Sequence, residues 1–418
     1  MLTMRQKKAI TKELRDRYQR LSKKEKIIML NEFIRLTGYN RSYAARALRI
    51  KRVLGYLNIA GKRIKYVADR KSKREKKRFY DKEVFMVLKK IWIICDYICS
   101  KRLAPFLSEV IPVLEKHGEI NLTTRIREKL FKISAATIDR MLVETRKRYR
   151  IKGRSTTRPG SLLKKSIPIR TFADWDEKVP GFFEVDLVSH DGGAVRGDLI
   201  QSLNFTDIAT GWVEMIAVKN KAQVWVFGGI KSIKERLPFP ILGIDSDNGS
   251  EFINAHLLRY CQKEHITFTR SRPYRKNDSC FVEQKNWSVI RRAVGYGRYD
   301  TDKELNILNE LYSYLRLYVN FFQPVRKLIK KERIGSKITK TYDEAKTPYR
   351  RVLASPDIED EIKVKLKNQY AMLNPAELKR KITKLQNRLL KLNSLKQEVE
   401  KGIDKSTKPL SSFEYISG

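Results

Sequence analysis

The chain of 418 residues predicts an α/β core flanked by helical segments, and three observations carry that reading. Three apolar runs of strand length, at 182–189, 199–205 and 212–218, precede any helical periodicity in the central region. They imply an antiparallel meander whose last two strands are joined at Thr210-Gly211. After them the pattern alternates: helix at 222–236, strand at 241–244, helix at 251–265, strand at 266–269 and helix from about 279 to 294, so the later strands are added through helical crossovers. The charge is also uneven. Residues 1–150 carry 41 Lys and Arg against 15 Asp and Glu, whereas 181–300 carry 16 against 14.

The overall charge of +42 favours nucleic acid as partner, because neutralising phosphates releases condensed counterions. No apolar run reaches the ~18–20 residues needed to span a bilayer; the best, 84–99, is interrupted by Lys89, Lys90 and Asp96. The N-terminus has no signal-peptide pattern, and four cysteines form no disulfide framework. A cytoplasmic, nucleoid-associated protein without a membrane partner is expected.

In order, residues 1–68 read as a helix-turn-helix DNA reader. Ser22 and Glu25 form a capping box before a helix at 26–36, with Ile27, Leu30, Phe33 and Ile34 on its apolar side. Gly38 ends it, and Asn40 caps a second helix at 41–49. There Ala44, Ala45 and Leu48 turn inward, leaving Arg41, Ser42, Tyr43 and Arg46 for DNA. A plain helical hairpin has the same pattern.

Residues 69–150 read as a second helical reader. The charge run at 69–78 is a solvated linker or exposed helix start, and 81–100 is an amphipathic helix. Helices at 124–131 and 135–147 then form another helix-turn-helix candidate, with Ile138, Leu142 and Val143 inward and Thr137, Arg140, Arg146 and Lys147 facing DNA. The basic, Pro- and Gly-containing stretch within 151–175 is a connector. The core spans 176–300. The remainder, 301–418, holds a helix at 304–322, a small β barrel or hairpin within 334–352, and a terminal helix. In that last helix Leu378, Ile382, Leu385, Leu389 and Leu392 make a stripe that suits a coiled coil or packing on the helix's own domain.

Asp247 follows an apolar strand and precedes Asn248-Gly249; Asp186 lies within the first strand; Glu283 falls on a helix with Asn286 and Arg291 roughly on its side. Two strand aspartates and a helix glutamate suit two Mg²⁺ ions, and two-metal sites act on phosphodiesters. Asp245 is a rival to Asp247 by strand alternation. Glu184 is an outer group or, more simply, an exposed strand residue, and His190 reads as a loop histidine.

The 35 residues separating Asp247 from Glu283, with Asp186 upstream, resemble the D,D-35-E signature of retroviral-type integrases and bacterial insertion-sequence transposases. The resemblance covers 181–297 and implies an RNase H-like core in which the first and fourth strands are neighbours. It further implies a DDE transposase with Asp186, Asp247 and Glu283 as catalytic metal ligands, and Mg²⁺ or Mn²⁺, two ions, as cofactor. The partners implied are double-stranded DNA, as terminal inverted repeats and as target, and further copies of the chain in a homo-oligomer. Tyr274, Arg275 and Lys276 fall in the loop expected to touch the DNA end, and Asn286 and Arg291 are candidate phosphate contacts. The zinc module of retroviral integrases is not available, since His117 is the only histidine before residue 190. The competing readings are a catalytically silent DNA-binding regulator and a stand-alone RNase H-like nuclease.

Overall fold

The computed structural model describes residues 2–49, 53–59, 62–67, 79–147, 178–193, 196–247, 249, 251–252, 254–271 and 280–406. The charge run at 69–78, the connector at 151–175, Asn248 and the loop residues Tyr274, Arg275 and Lys276 lie outside them. The chain divides into two compact units, Met1–Phe79 and Tyr80–Gly418.

The first unit contains α1 (Met4–Arg20), α2 (Lys23–Thr37) and α3 (Arg41–Arg49), followed by the antiparallel strands β1 (Val53–Ile59) and β2 (Lys62–Val67). The Ser22/Glu25 capping box is formed. Gly38 closes α2 at φ 66°, a left-handed conformation that suits a residue without Cβ. The small core holds Tyr18, Met29, Leu30, Phe33, Ala44 and Leu48. Ile27, expected inward, is 48% exposed; Met29 takes the inner position instead. The β1–β2 pair gave no sequence signal recognised above.

The second unit starts with α4 (Lys82–Ile94), α5 (Ser100–Lys116), α6 (Thr124–Phe131) and α7 (Ala135–Lys147). The single helix expected over 81–100 is interrupted after Ile94. Asp96 and Tyr97 take positive φ, and the Trp92 indole donates to the Ile98 carbonyl at 2.9 Å, fixing the turn. These helices share a hydrophobic core with the sheet and the C-terminal helices. Polar ties reinforce it: Gln323 donates to the Cys95 carbonyl at 3.1 Å, and Asp96 pairs with Arg292 at 2.9 Å and Lys379 at 2.7 Å.

The sheet contains β3 (Phe182–Ser189), β4 (Gln201–Asp207), β5 (Val213–Val218), β6 (Gly243–Ser246) and β7 (Thr267–Arg270) in the order β5-β4-β3-β6-β7. β4 runs antiparallel to both its neighbours, β3 and β5, while β3, β6 and β7 are parallel. The first and fourth strands are therefore adjacent. α8 (Gln223–Arg236) follows β5, and α9 (Ala255–Lys263) follows β6, capped by Asn254. The last crossover partner is α10 (Cys280–Lys285), continuous with a π-helical turn at Asn286–Arg291 and with α11 (Arg292–Val294).

Beyond the sheet come α12 (Asp302–Phe322), the hairpin β8 (Leu328–Ile334) and β9 (Lys337–Tyr342), α13 (Pro348–Ala354), α14 (Asp360–Met372) and α15 (Pro375–Ser406). The β segment is thus a hairpin placed earlier than expected, and the end of the 334–352 stretch is helical. Leu378, Ile382, Leu385 and Leu389 are buried in the unit's own core. Of the two readings of the stripe, packing on the helix's own domain is the observed one.

Candidate active site

Strand alternation places Glu184 and Asp186 of β3, Ser202, Asn204 and Thr206 of β4, and Asp245 of β6 on one face of the sheet, with Asp247 just past the β6 end. The opposite set, Phe183, Val185, Leu203, Phe205 and Ile244, is buried and apolar. α8 approaches that apolar face at Gly229, whose added Cβ would lie 3.1 Å from both Leu203 and Val218. One face thus makes the core, and the other gathers polar groups.

Asp186 pairs in register with Asn204, and β3 is paired with β6, which ends one residue before Asp247. Asp186 is half-buried; burial and then the neighbouring Asp247 charge hold its carboxyl above the usual range, and Glu283 adds to this. Asp247 is also raised, chiefly by burial. Its Oδ1 accepts from the Gly249 amide at 2.9 Å, the tight turn expected there. Glu251, passed over in the sequence, is raised by burial and then by the Asp247 charge. Two mutually repelling carboxylates form a hard-oxygen donor pair suited to a divalent cation. Glu283 is exposed, and among the described residues no three His, Cys, Asp or Glu side chains converge to hold one ion. The aspartate pair carries the fit to a metal.

The Asp186 carboxylate is fixed on both oxygens. Oδ1 accepts from the Leu187 amide at 2.8 Å, and Oδ2 accepts from Asn286 Nδ2 at 2.6 Å. Asn286 in turn accepts from Asn204 Nδ2 at 2.7 Å. Arg291 donates to the Ser189 carbonyl at 2.7 Å and lies 4.8 Å from the Tyr296 ring centroid. The two helix residues expected to be turned towards phosphate are therefore engaged inside the fold.

Glu184, expected to be an exposed strand residue, is fully buried, and its Oε2 accepts from the Val282 amide at 2.7 Å. Asp245 is buried too, accepting from the Thr269 hydroxyl at 2.6 Å. His190 stands one residue past the end of β3, but it is not an idle loop side chain. It is buried, its Nε2 2.7 Å from Ser202 Oγ, and Ser202 bonds the Tyr312 hydroxyl. The phase of Glu184 with Asp186 and Asp245 was the signal available for a shared polar face.

Of the other candidates, Arg41, Ser42, Tyr43 and Arg46 are exposed on α3, with the Arg46 guanidinium 5.5 Å from the Tyr43 ring centroid. On α7, Arg140 is exposed, while Thr137 is half-buried and accepts from Arg140 at 3.1 Å. Arg146 pairs with Asp139 and lies 5.7 Å from the Trp92 ring, so it braces the helices. Lys147 ends α7. Val143, expected inward, is 47% exposed. No helix among the described residues is long and apolar enough to cross a membrane.

No family model matches the chain. An uncharacterized protein, y4rM of Sinorhizobium fredii, is 37% identical over 350 residues, which is 84% of this chain and 96% of that protein. Among solved structures, the catalytic core domain of BIV integrase aligns at a TM-score of 0.28 and 17% identity, covering 45% of this chain and 97% of its own. The HTLV-2 integrase catalytic core domain in complex with magnesium aligns at 0.26 and 16%, covering 35% and 91%. The simian T-cell lymphotropic virus intasome aligns at 0.30 and 15%, covering 51% and 70%.

Proposed function

The chain belongs to the family of the uncharacterized protein y4rM, and we propose that it is a DDE transposase that cuts the ends of a mobile element and joins them to target DNA. The observation that carries this reading is the paired aspartates Asp186 and Asp247, brought together by the β3–β6 pairing, with Glu283 on the helix tied to β3. Asp186, Asp247 and Glu283 would hold Mg²⁺ or Mn²⁺, which supplies charge stabilisation for in-line attack on a phosphodiester. Asn286 orients Asp186 through the bond described above, and Glu283, exposed on α10, would complete the set of oxygen donors.

DNA is the natural partner of a chain this basic, and the exposed α3 residues Arg41, Ser42, Tyr43 and Arg46 form the reading surface in this proposal. Arg140 and Lys147 of α7, with Tyr274, Arg275 and Lys276, remain candidate backbone contacts. Joining both ends to one target needs two active sites in fixed relation, so the working form is a homo-oligomer on DNA. Its contacts lie elsewhere than the Leu378–Leu389 stripe, which is buried.

Incubating the full chain and Mg²⁺ with DNA that carries the sequences flanking its own gene tests the reading. Nicks leaving 3′-hydroxyls at inverted repeats, and joined products, are expected. Sequence-specific binding with no Mg²⁺-dependent cleavage would replace it with a silent regulator, and cleavage without joining or end preference with a nuclease.

A further inference from the structure

Glu184 lies two residues before Asp186 on β3, and its buried carboxyl accepts a 2.7 Å hydrogen bond from the Val282 amide. Val282 is the third residue of α10 and immediately precedes Glu283. Amides in a first helical turn have no partner within the helix, so an acceptor placed there fixes where the helix begins. The same helix is tied to the same strand a second time, where Asn286 donates to Asp186 at 2.6 Å.

The two ties match in spacing. Four helical residues from Val282 to Asn286 rise about 6 Å, and two strand residues from Glu184 to Asp186 advance roughly 6.6 Å. Helix and strand therefore run side by side, pinned at two points, and Glu283 sits between the pins. With the Glu184 pin removed, the start of the helix loses its tie to β3 while the Asn286 and Arg291 ties further along remain, so the end that carries Glu283 can shift. A buried carboxyl is a costly way to fill space. At this junction it supplies an acceptor that an apolar side chain lacks.

We propose that Glu184 is a positioning residue that sets where Glu283 stands relative to Asp186 and Asp247. The proposal rests on the reading of those three residues as metal ligands. Three variants of the full chain separate the possibilities: Glu184→Leu removes the acceptor, Glu184→Gln keeps it, and Val282→Pro removes the donor at a helical position that tolerates proline. Mn²⁺ binding is followed by electron paramagnetic resonance of the free ion, with thermal melting recorded alongside and Glu283→Gln as reference.

Glu184→Gln is expected to bind Mn²⁺ as wild type does, while Glu184→Leu and Val282→Pro weaken binding about tenfold, the scale of lost outer-shell support. Adding Glu184→Leu to Glu283→Gln should weaken binding no further, because both act through one carboxylate. Should Glu184→Leu not fold, Val282→Pro carries the comparison. Wild-type binding in the variants lacking the acceptor or donor overturns the proposal, as do equal losses in the Gln and Leu variants or additive losses in the double variant. Wild-type Mn²⁺ binding by Glu283→Gln would instead remove the metal-ligand reading itself, and the proposal with it.

Discussion

The amide of Asn286 donates to Asp186 Oδ2 at 2.6 Å across 100 positions of sequence, while its own oxygen is held by Asn204. The carboxylate at the head of the candidate site is thus aimed by a helix residue that is itself aimed by the neighbouring strand. Asn286→Ala should lower cleavage about 10- to 100-fold, as loss of groups orienting a metal ligand does, with DNA affinity unchanged. Fluorescence anisotropy beside a cleavage assay checks it; reduced affinity with unreduced turnover would restore Asn286 as a DNA contact.

A second prediction concerns the sheet edge. Glu214 is fully buried and receives both Arg316 Nη2, at 2.7 Å, and the Trp212 indole, at 3.0 Å. Arg316→Ala would leave the carboxylate buried without its cation, a defect that costs about 3–5 kcal/mol. Urea denaturation of the full chain gives the value, and a loss under 1 kcal/mol would mean that water reaches Glu214.

Acid sensitivity should trace partly to His190. Burial, then the Arg291 charge, pushes its pKa down to about 3, so the unfolded chain takes up its proton near pH 6.5 while the folded chain does not. Stability unaffected above pH 6.5 is lost progressively as pH falls from there towards 3. Between pH 7 and 5 this contributes about 2 kcal/mol. The urea midpoint of His190→Gln should therefore fall less over that interval than that of wild type, and parallel curves would refute the assignment.

Truncations should respect the division at Phe79. Residues 1–79 hold 26 Lys and Arg against 6 Asp and Glu and have their own core. That fragment should fold and bind DNA with a steep salt dependence. A fragment ending at Arg150 should aggregate, because α4 to α7 lose the core and the polar ties to α12, α14 and α15. A soluble, cooperatively melting 1–150 fragment would contradict this.

The strand and helix order of the sheet was legible because period-2 and period-3.6 patterns alternate cleanly, whereas the adjacency of the strands carrying Asp186 and Asp247 came from the family resemblance and not from the periodicity. The roles of Glu184, His190 and Asn286 were not legible. Each depends on a partner about 12 to 100 positions away, which local periodicity cannot supply. A polar residue in a strand looks exposed until the element covering it is known, and for Glu184 that element is α10. The intramolecular partners of Arg146 and Arg291 were hidden for a related reason. Basic residues on a polar helix face are equally suited to phosphate or to a nearby Asp139 carboxylate or Ser189 carbonyl.

The most direct measurement is Mg²⁺-dependent cleavage of the flanking-sequence DNA by Asp247→Asn. The amide is nearly isosteric with the carboxylate but cannot neutralise a divalent cation, and the exposed α3 surface is untouched. Cleavage and joining should disappear while DNA affinity stays at the wild-type value. Cleavage at the wild-type rate would contradict the account and shift attention to the neighbouring Asp245.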